Sequence, residues 1–593
     1  MHGITDGILH TVLQHWFAVL IVAVSAWLLR NRFHNGLNKY PGPFMASLTD
    51  WWRLVDVWNR RPELTHIKLH EKHGDVVRLG PNTLSFADPA ALKAIYGLNK
   101  GYVKSSFYVV QQSVVKGHSL QSLFSTVDND FHQQFRRCVN SAFAMSALVQ
   151  YEPFVDNTTK LFLKQTERLF ANNPQGCDFT RWLQFYAFDV IGEITYSKRH
   201  GFVEKNEDID GIVAYLTSLF NYVAPVSHQS PTQSPEVSPN SEVSHIDTQQ
   251  IGQIPILDRL FLKNPIYLKL SEWGVLDATF PVAKFARARM AERLPDISSP
   301  SEKANSSSSS SSSSILPTAE KKDSSRIKPA PTVDLLSKFL AAKEARPGFM
   351  TDTLVQTMAV SMAFAGSETT AISLGAVFYY LLRTPHAMAR LRAELDGAGR
   401  RGAFGDNETG LVTWHESQGL EYLDVCIKEA FRLHPAPGLP MERIVPPQGA
   451  EIAGRFVPGG TIVGCSAWVL HRNRDIFGED VDVYRPERWL VDETKDRAKE
   501  EARIKEMTGT MLQFGMGSRT CIGKNISLLE IYKLVPSLLR RFEINFQDPS
   551  KDWKICNSWF VKQTDFFTSF SIRDIPQPEM GASLERSTDG VLI

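Results

Sequence analysis

Charge of one sign is missing from this 593-residue chain, in which 65 lysines and arginines nearly cancel 64 aspartates and glutamates. No polyanionic partner such as nucleic acid is implied. Cysteine is sparse. Cys138, Cys177, Cys426, Cys465, Cys521 and Cys556 are scattered with no C-x-x-C pair, which argues against a zinc site or a disulfide framework and fits a reducing compartment. The first apolar run has no basic cluster before it and no Ala-x-Ala site after it, so it does not read as a cleaved signal peptide. Apolar residues make up 43% of the chain, ample for a large buried core.

That apolar run, Ile8 to Leu29, is interrupted only by His10, Thr11, Gln14, His15 and Ser25. As a helix it spans roughly 30 Å, enough for a bilayer core. Trp16 and Trp27 suit the interfaces, and Arg30, Arg32 and Lys39 follow it. The positive-inside rule then puts the body in the cytosol. Pro41-Gly-Pro-Phe44 should break the helix and act as a stiff hinge. Beyond it Trp51 to Lys72 reads as helix. Asp75 to Leu79 and Thr83 to Phe86 flank Gly80-Pro-Asn82 as a hairpin, and Pro89 opens a further helix. Lys104 to Gln121 reads as an apolar loop. His132 and Arg136 sit four apart, on one face of a predicted helix. Helices should run from Leu148 to about Leu219, broken near Asn172-Asn-Pro174. Residues 227–250 and 297–331, the second with its serine run from Ser306 to Ser314, are too polar to bury a core and read as surface insertions.

Phe514-Gly-Met-Gly-Ser-Arg-Thr-Cys-Ile-Gly523 organises the rest. It reads as a loop ending in one cysteine, with a helical run from Ile522 to Arg541. A thiolate there is stabilised by free backbone N–H groups and the helix dipole. That suits an axial ligand to haem iron. Gly515 and Gly517 permit the turn, Gly523 leaves space for a flat ring, Arg519 suits a propionate, and Phe514 suits shielding of the sulfur. A dinucleotide loop would need a glycine where Thr520 stands and a strand before it. An inert buried thiol is the other competing reading.

Asp352 to Arg383 is the longest helical run, closed by Pro385, and apolar nearly all round, hence buried. At standard rise it is roughly 48 Å long. Polar residues gather at its middle, Ala365-Gly-Ser-Glu-Thr-Thr370, where a helix can kink and admit water. Downstream, Glu429 and Arg432 lie three apart on the helix from Leu420 to His434, and Pro486-Glu-Arg-Trp489 precedes the cysteine loop. Glu451 to Val463 reads as a hairpin.

The loop Phe-x-x-Gly-x-Arg-x-Cys-x-Gly resembles the haem-ligand signature of the cytochrome P-450 family. The helix segment matches that family's Ala/Gly-Gly-x-Asp/Glu-Thr-Thr/Ser pattern, and Glu-x-x-Arg with Pro-Glu-Arg-Trp follow in the family's order. Val-Arg-Leu-Gly-Pro-Asn and the Pro-Gly-Pro hinge also resemble the fungal group containing pisatin demethylase and benzoate hydroxylase. The resemblance implies a mainly α, triangular fold with a smaller β-rich subdomain, preceded by one transmembrane helix. Residues 1–40 would be anchor and hinge, 41–576 the catalytic domain, and 577–593 a tail.

The same resemblance implies haem b on Cys521, with Thr369 hydrogen-bonding dioxygen, Glu368 in a proton relay, and Ala365 and Gly366 leaving room for the ligand. His132, standing where the family usually has tryptophan, would hold propionates together with Arg136 (or its neighbour Arg137), Arg443 and Arg519. Glu429, Arg432 and Arg488 would form a buried structural triad. Residues 104–121 would roof the substrate pocket, Gly438-Leu-Pro440 would touch it, and the aromatic stretch from Trp559 would supply its last turn.

The implied function is a membrane-bound monooxygenase of the endoplasmic reticulum. It would insert one atom of O2 into a small apolar organic substrate by hydroxylation, epoxidation or O-demethylation, in fungal secondary metabolism. Electrons would come from NADPH through a separate reductase, because no flavin or nicotinamide module follows the cysteine loop. A haem-thiolate isomerase or dehydratase and a non-enzymatic haem-binding membrane protein are the alternatives.

Overall fold

A computed structural model describes residues 15–214 except 116, isolated stretches between 216 and 291, and residues 334–576. Both polar insertions, the tail and residues 8–14 of the apolar run lie outside the described residues. Helix α1 (Trp16–Phe33) has no buried residue. Among the described residues, Trp16–Lys39 is the one helical stretch long and apolar enough to cross a membrane.

The next segment is not a free hinge. Arg78 N–H donates to Pro41 O at 2.7 Å, and a Cβ on Gly42 would lie 2.3 Å from Arg78 O. The Arg78 guanidinium, itself 1% exposed, reaches back to the carbonyls of Asn31 (2.7 Å) and Arg32 (2.9 Å) at the end of α1. The helix expected from Trp51 to Lys72 is two, Trp51–Trp58 and Pro62–His73. Arg60 at φ 63° turns the chain between them, and Pro62, lacking an N–H, starts the second.

Strands β1 (Val76–Gly80) and β2 (Thr83–Phe86) form the expected hairpin. They continue into a five-stranded sheet with β3 (Val103–Lys104), β4 (Arg443–Ile444) and β5 (Ile462–Cys465), in the order β1-β2-β5-β4-β3. Only Ala450–Ile452 and Arg455–Val457 pair as the expected later hairpin. Its sequel, β5, lies parallel to β2 instead.

The helical body holds the largest core. It comprises α2 (Asn129–Val139), α3 (Glu152–Phe170), α4 (Phe179–Tyr196), α5 (Asp352–Arg383), α6 (Glu421–Leu433) and α7 (Lys524–Arg541). Seventeen of the eighteen residues of α4 are buried, so no face remains for water and the helix must pack all round. Trp182, Phe162 and Tyr186 lock α3 to α4; each such burial stabilises by about 1.5–3 kcal/mol. α5 has the predicted bounds: Thr351 Oγ1 caps its start by accepting Leu354 N–H, and Pro385 begins the next helix. It runs unbroken through Gly366. The hydroxyls of Ser361, Ser367, Thr369 and Ser373 each donate to the carbonyl four residues back, so they spend their protons on the helix's own backbone.

Candidate functional site

Where the helical body meets the sheet lies a cavity of about 310 Å³. One wall is the cysteine loop. Gly515 and Gly517 both take φ 68°, and a Cβ on Gly517 would lie 1.9 Å from Tyr96 O, so only glycine fits there. Cys521 N–H donates to Phe514 O at 2.8 Å and closes the loop. Phe514 packs edge-on against Phe431 of α6.

The Cys521 sulfur opens to the cavity just ahead of α7. Burial lifts its pKa above the ordinary thiol value, against the N–H groups of Gly523 and Lys524 and the charges of Arg136 and Lys524, which favour the thiolate. That opposition leaves a thiol which a metal cation would tip to thiolate. Gly523 has only the sulfur within reach of an added Cβ, at 4.0 Å.

The facing wall is the middle of α5. Ala365, Gly366 and Thr369 line the cavity, and Thr369 Oγ1 donates to Ala365 O at 2.7 Å. Gly366 serves packing too, since Ile191 of α4 would stand 3.0 Å from its Cβ. Glu368 does not line the cavity. Its carboxylate lies behind the wall, 3.0 Å from Lys562 Nζ and accepting from Gln184. Successive helix positions turn by about 100°, which separates the neighbouring acid and hydroxyl.

One edge of the cavity is cationic. Lys104, His132, Arg136, Arg443 and Arg519 all line it. Burial first, and mutual repulsion second, depress Arg519 to about 10 and His132 to about 3, and push Lys104 well below its ordinary value. Arg519 donates to Thr126 O, Asp128 O and Asn129 Oδ1. Arg136 donates to Thr520 O at 2.7 Å and to Ser518 O at 3.3 Å, bracing the cysteine loop from α2. Arg137 is not among the lining residues.

The triad residues meet as expected. Glu429 accepts from Arg432 at 2.8 and 2.9 Å and from Arg488 Nε at 2.8 Å, with no member more than 3% exposed. Trp489 Nε1 donates to the same carboxylate at 2.9 Å. The second face of the pocket differs from expectation. Ala436, Pro437 and Met441 line it, while Gly438 packs on Asn557 and Leu439 joins a separate apolar cluster. Tyr108, Leu120, Trp559 and Phe560 line it as read from the sequence. Lys104, Lys562 and Gln184 carried no motif that could mark them.

The cytochrome P-450 family profile matches residues 41–567. The chain belongs to the cytochrome P-450 family. It is similar to the cytochrome P-450 monooxygenase cicH of Emericella nidulans, at 37% identity over 559 residues covering 94% of this chain and 98% of that one. A cytochrome P-450 monooxygenase of Aspergillus terreus is 37% identical over 89% of this chain and 95% of its own. The monooxygenase mpaDE of Penicillium brevicompactum is 32% identical over 96% of this chain, which spans 59% of mpaDE.

The protein is thus an oxidoreductase of the monooxygenase class with the family's mainly α fold and an apolar N-terminal helix that fits a membrane anchor. Membership implies haem held by a cysteine thiolate, and the residues present fit that group. A sulfur and the small residues Ala365 and Gly366 line the cavity together with four cationic side chains, of which Lys104 and Arg443 are buried, a lining suited to two carboxylates.

Proposed function

We propose that this P-450 oxidises a small apolar organic molecule of fungal secondary metabolism, inserting one atom of dioxygen, at the endoplasmic reticulum membrane. NADPH electrons reach it through a separate reductase. The observation that carries the reading is the Cys521 sulfur opening onto a largely apolar cavity that Thr369 also lines.

Haem held by Cys521 would supply the activation of dioxygen. The chain does the rest. Gly523 and Lys524 N–H groups and Arg136 hold negative charge at Sγ. His132, Arg136, Arg443 and Arg519 fix the cofactor's carboxylates. Thr369 keeps a proton at Oγ1, parked on Ala365 O, and rotation about its side chain turns that proton into the cavity. Glu368 stands behind the wall as a carboxylate and belongs to the proton path. Lys562, with 22% of its side chain exposed, connects it to solvent. Phe431, Trp559 and Phe560 exclude water and favour an apolar substrate. The triad of Glu429, Arg432 and Arg488 holds the segment that leads to the cysteine loop.

Fungal membranes containing the chain and a P-450 reductase, fed aromatic polyketides and terpenoids with NADPH, should yield products heavier by one oxygen, or lighter by one CH2 after O-demethylation. Mass spectrometry under ¹⁸O2 checks the source of the oxygen in hydroxylated and epoxidised products. Conversion that proceeds without NADPH or oxygen would replace this reading with an isomerase or dehydratase.

A further inference from the structure

Strand β3 pairs antiparallel with β4, and Lys104 stands directly opposite Arg443. Both side chains are 6% exposed, and both line the cavity. Like charges directly opposed across a ladder are destabilising, and burial removes the water that would screen them. Glu442, next to Arg443 in sequence, turns its carboxylate away toward Arg53 and Ser105, and Arg443 itself meets neutral groups, the Glu442 carbonyl at 2.8 Å and the Tyr96 ring.

Lys104 Nζ donates to Phe124 O and lies 4.1 and 4.4 Å from the ring centres of Tyr108 and Phe124. A carbonyl and two π faces orient an ammonium but carry no full negative charge. The position is therefore built for a cation and lacks its anion. Burial, with Arg443 and Arg519 adding to it, pulls the ammonium toward its neutral form, as an uncompensated charge should be.

We propose that Lys104, braced by Tyr108 and Phe124 and opposed to Arg443, is a further cofactor-positioning residue whose ammonium pairs with a haem carboxylate. This rests on the haem-thiolate reading above. It also gives residues 104–124 a second role. The segment that lines the substrate cavity through Tyr108 and Leu120 also carries Lys104 to the cofactor's side of it.

Lys104→Met and Lys104→Arg test this in the full chain by measurements that need no turnover. Lys104→Met should raise the melting temperature of the haem-free protein, because a buried repulsion is removed. The same change should speed haem transfer from the holoprotein to apomyoglobin by about tenfold, the worth of one charge-assisted hydrogen bond. Lys104→Arg should restore slow transfer. Reconstitution with haem dimethyl ester, which has no carboxylate charge, should abolish the difference between wild type and Lys104→Met.

The proposal is overturned if transfer from Lys104→Met stays within twofold of wild type, or if the difference survives with the diester. A Lys104→Met apoprotein that melts lower, with haem transfer as slow as in wild type, would make Lys104 a structural brace only. Failure of the wild-type chain to take up haem at all would instead sink the haem-thiolate reading, and the two failures are distinguishable.

Discussion

His471 accepts the backbone N–H of Leu512 at Nε2, 2.8 Å away. An acceptor at Nε2 fixes the ring proton on Nδ1, which then donates to Arg432 O at 3.1 Å. One neutral imidazole thus ties the Glu429–Arg432 pair to the residues leading into the cysteine loop. Protonation would put a second hydrogen where Leu512 already points one.

The ring is fully buried, and burial with Arg432 and Arg472 nearby holds its pKa down to about 3. In the unfolded chain it protonates at its ordinary value near 6.5. The unfolded state therefore binds more protons between those values. The contribution to stability is full above pH 6.5 and declines as pH falls toward 3. From pH 6.5 to 4.5 the loss should be about 2–3 kcal/mol. His434 and His200 are held similarly low, so the test is differential. Urea midpoints for wild type and His471→Gln should converge as the pH falls.

Cys521→Ala removes the sulfur that opens to the cavity. The reduced carbon-monoxide complex should lose the red-shifted band of thiolate-ligated haem. A band of unchanged position would mean that another side chain supplies the ligand.

Thr369→Ala leaves haem binding in place, because the hydroxyl bonds only to its own helix. Product per NADPH should fall by about 10²-fold, the usual worth of a positioned proton donor, and hydrogen peroxide should rise to match. Unaltered coupling would remove Thr369 from the relay.

Glu429→Gln leaves the buried Arg432 guanidinium without its carboxylate and Arg488 with Asp480 alone, 3.1 Å away. Some of their charge still meets carbonyls of His471, Val481 and Phe477, but the loss should reach about 3–5 kcal/mol. Denaturant midpoint and haem content should fall together in this variant. Arg390→Gln, which breaks a half-exposed pair with Glu487, should cost less than about 1 kcal/mol.

Deleting residues 8–29 should move the protein from the membrane pellet to the supernatant after an alkaline wash. Retention in the pellet would show that other surfaces suffice.

The parts of this site that were legible in sequence are those whose chemistry is local. The cysteine loop is one segment, and its glycines are dictated by its own turn. The bounds of α5 follow from Thr351 and Pro385, which stop a helix whatever surrounds it. Three features were not legible, for one physical reason. The destination of β5, the direction of Glu368 and the placing of Lys104 each depend on a partner distant in sequence: β2, Lys562 and Arg443. Periodicity carries no record of such pairs. The break between Trp51–Trp58 and Pro62–His73 is local instead: Pro62 marks a helix start in the sequence itself, although the apolar spacing continues across it.

The guanidinium of Arg78 bolts the end of α1 to the sheet through two backbone carbonyls, and Asn31 adds a third fastening to Leu48 O at 2.8 Å. A tether made of loose chain would let the globular part tumble beneath the bilayer. Were α1 to cross a bilayer, a joint fastened this way would make the tilt of one helix set the attitude of the body beneath it. Residue 78, remote from any chemistry, would then be what holds that attitude fixed.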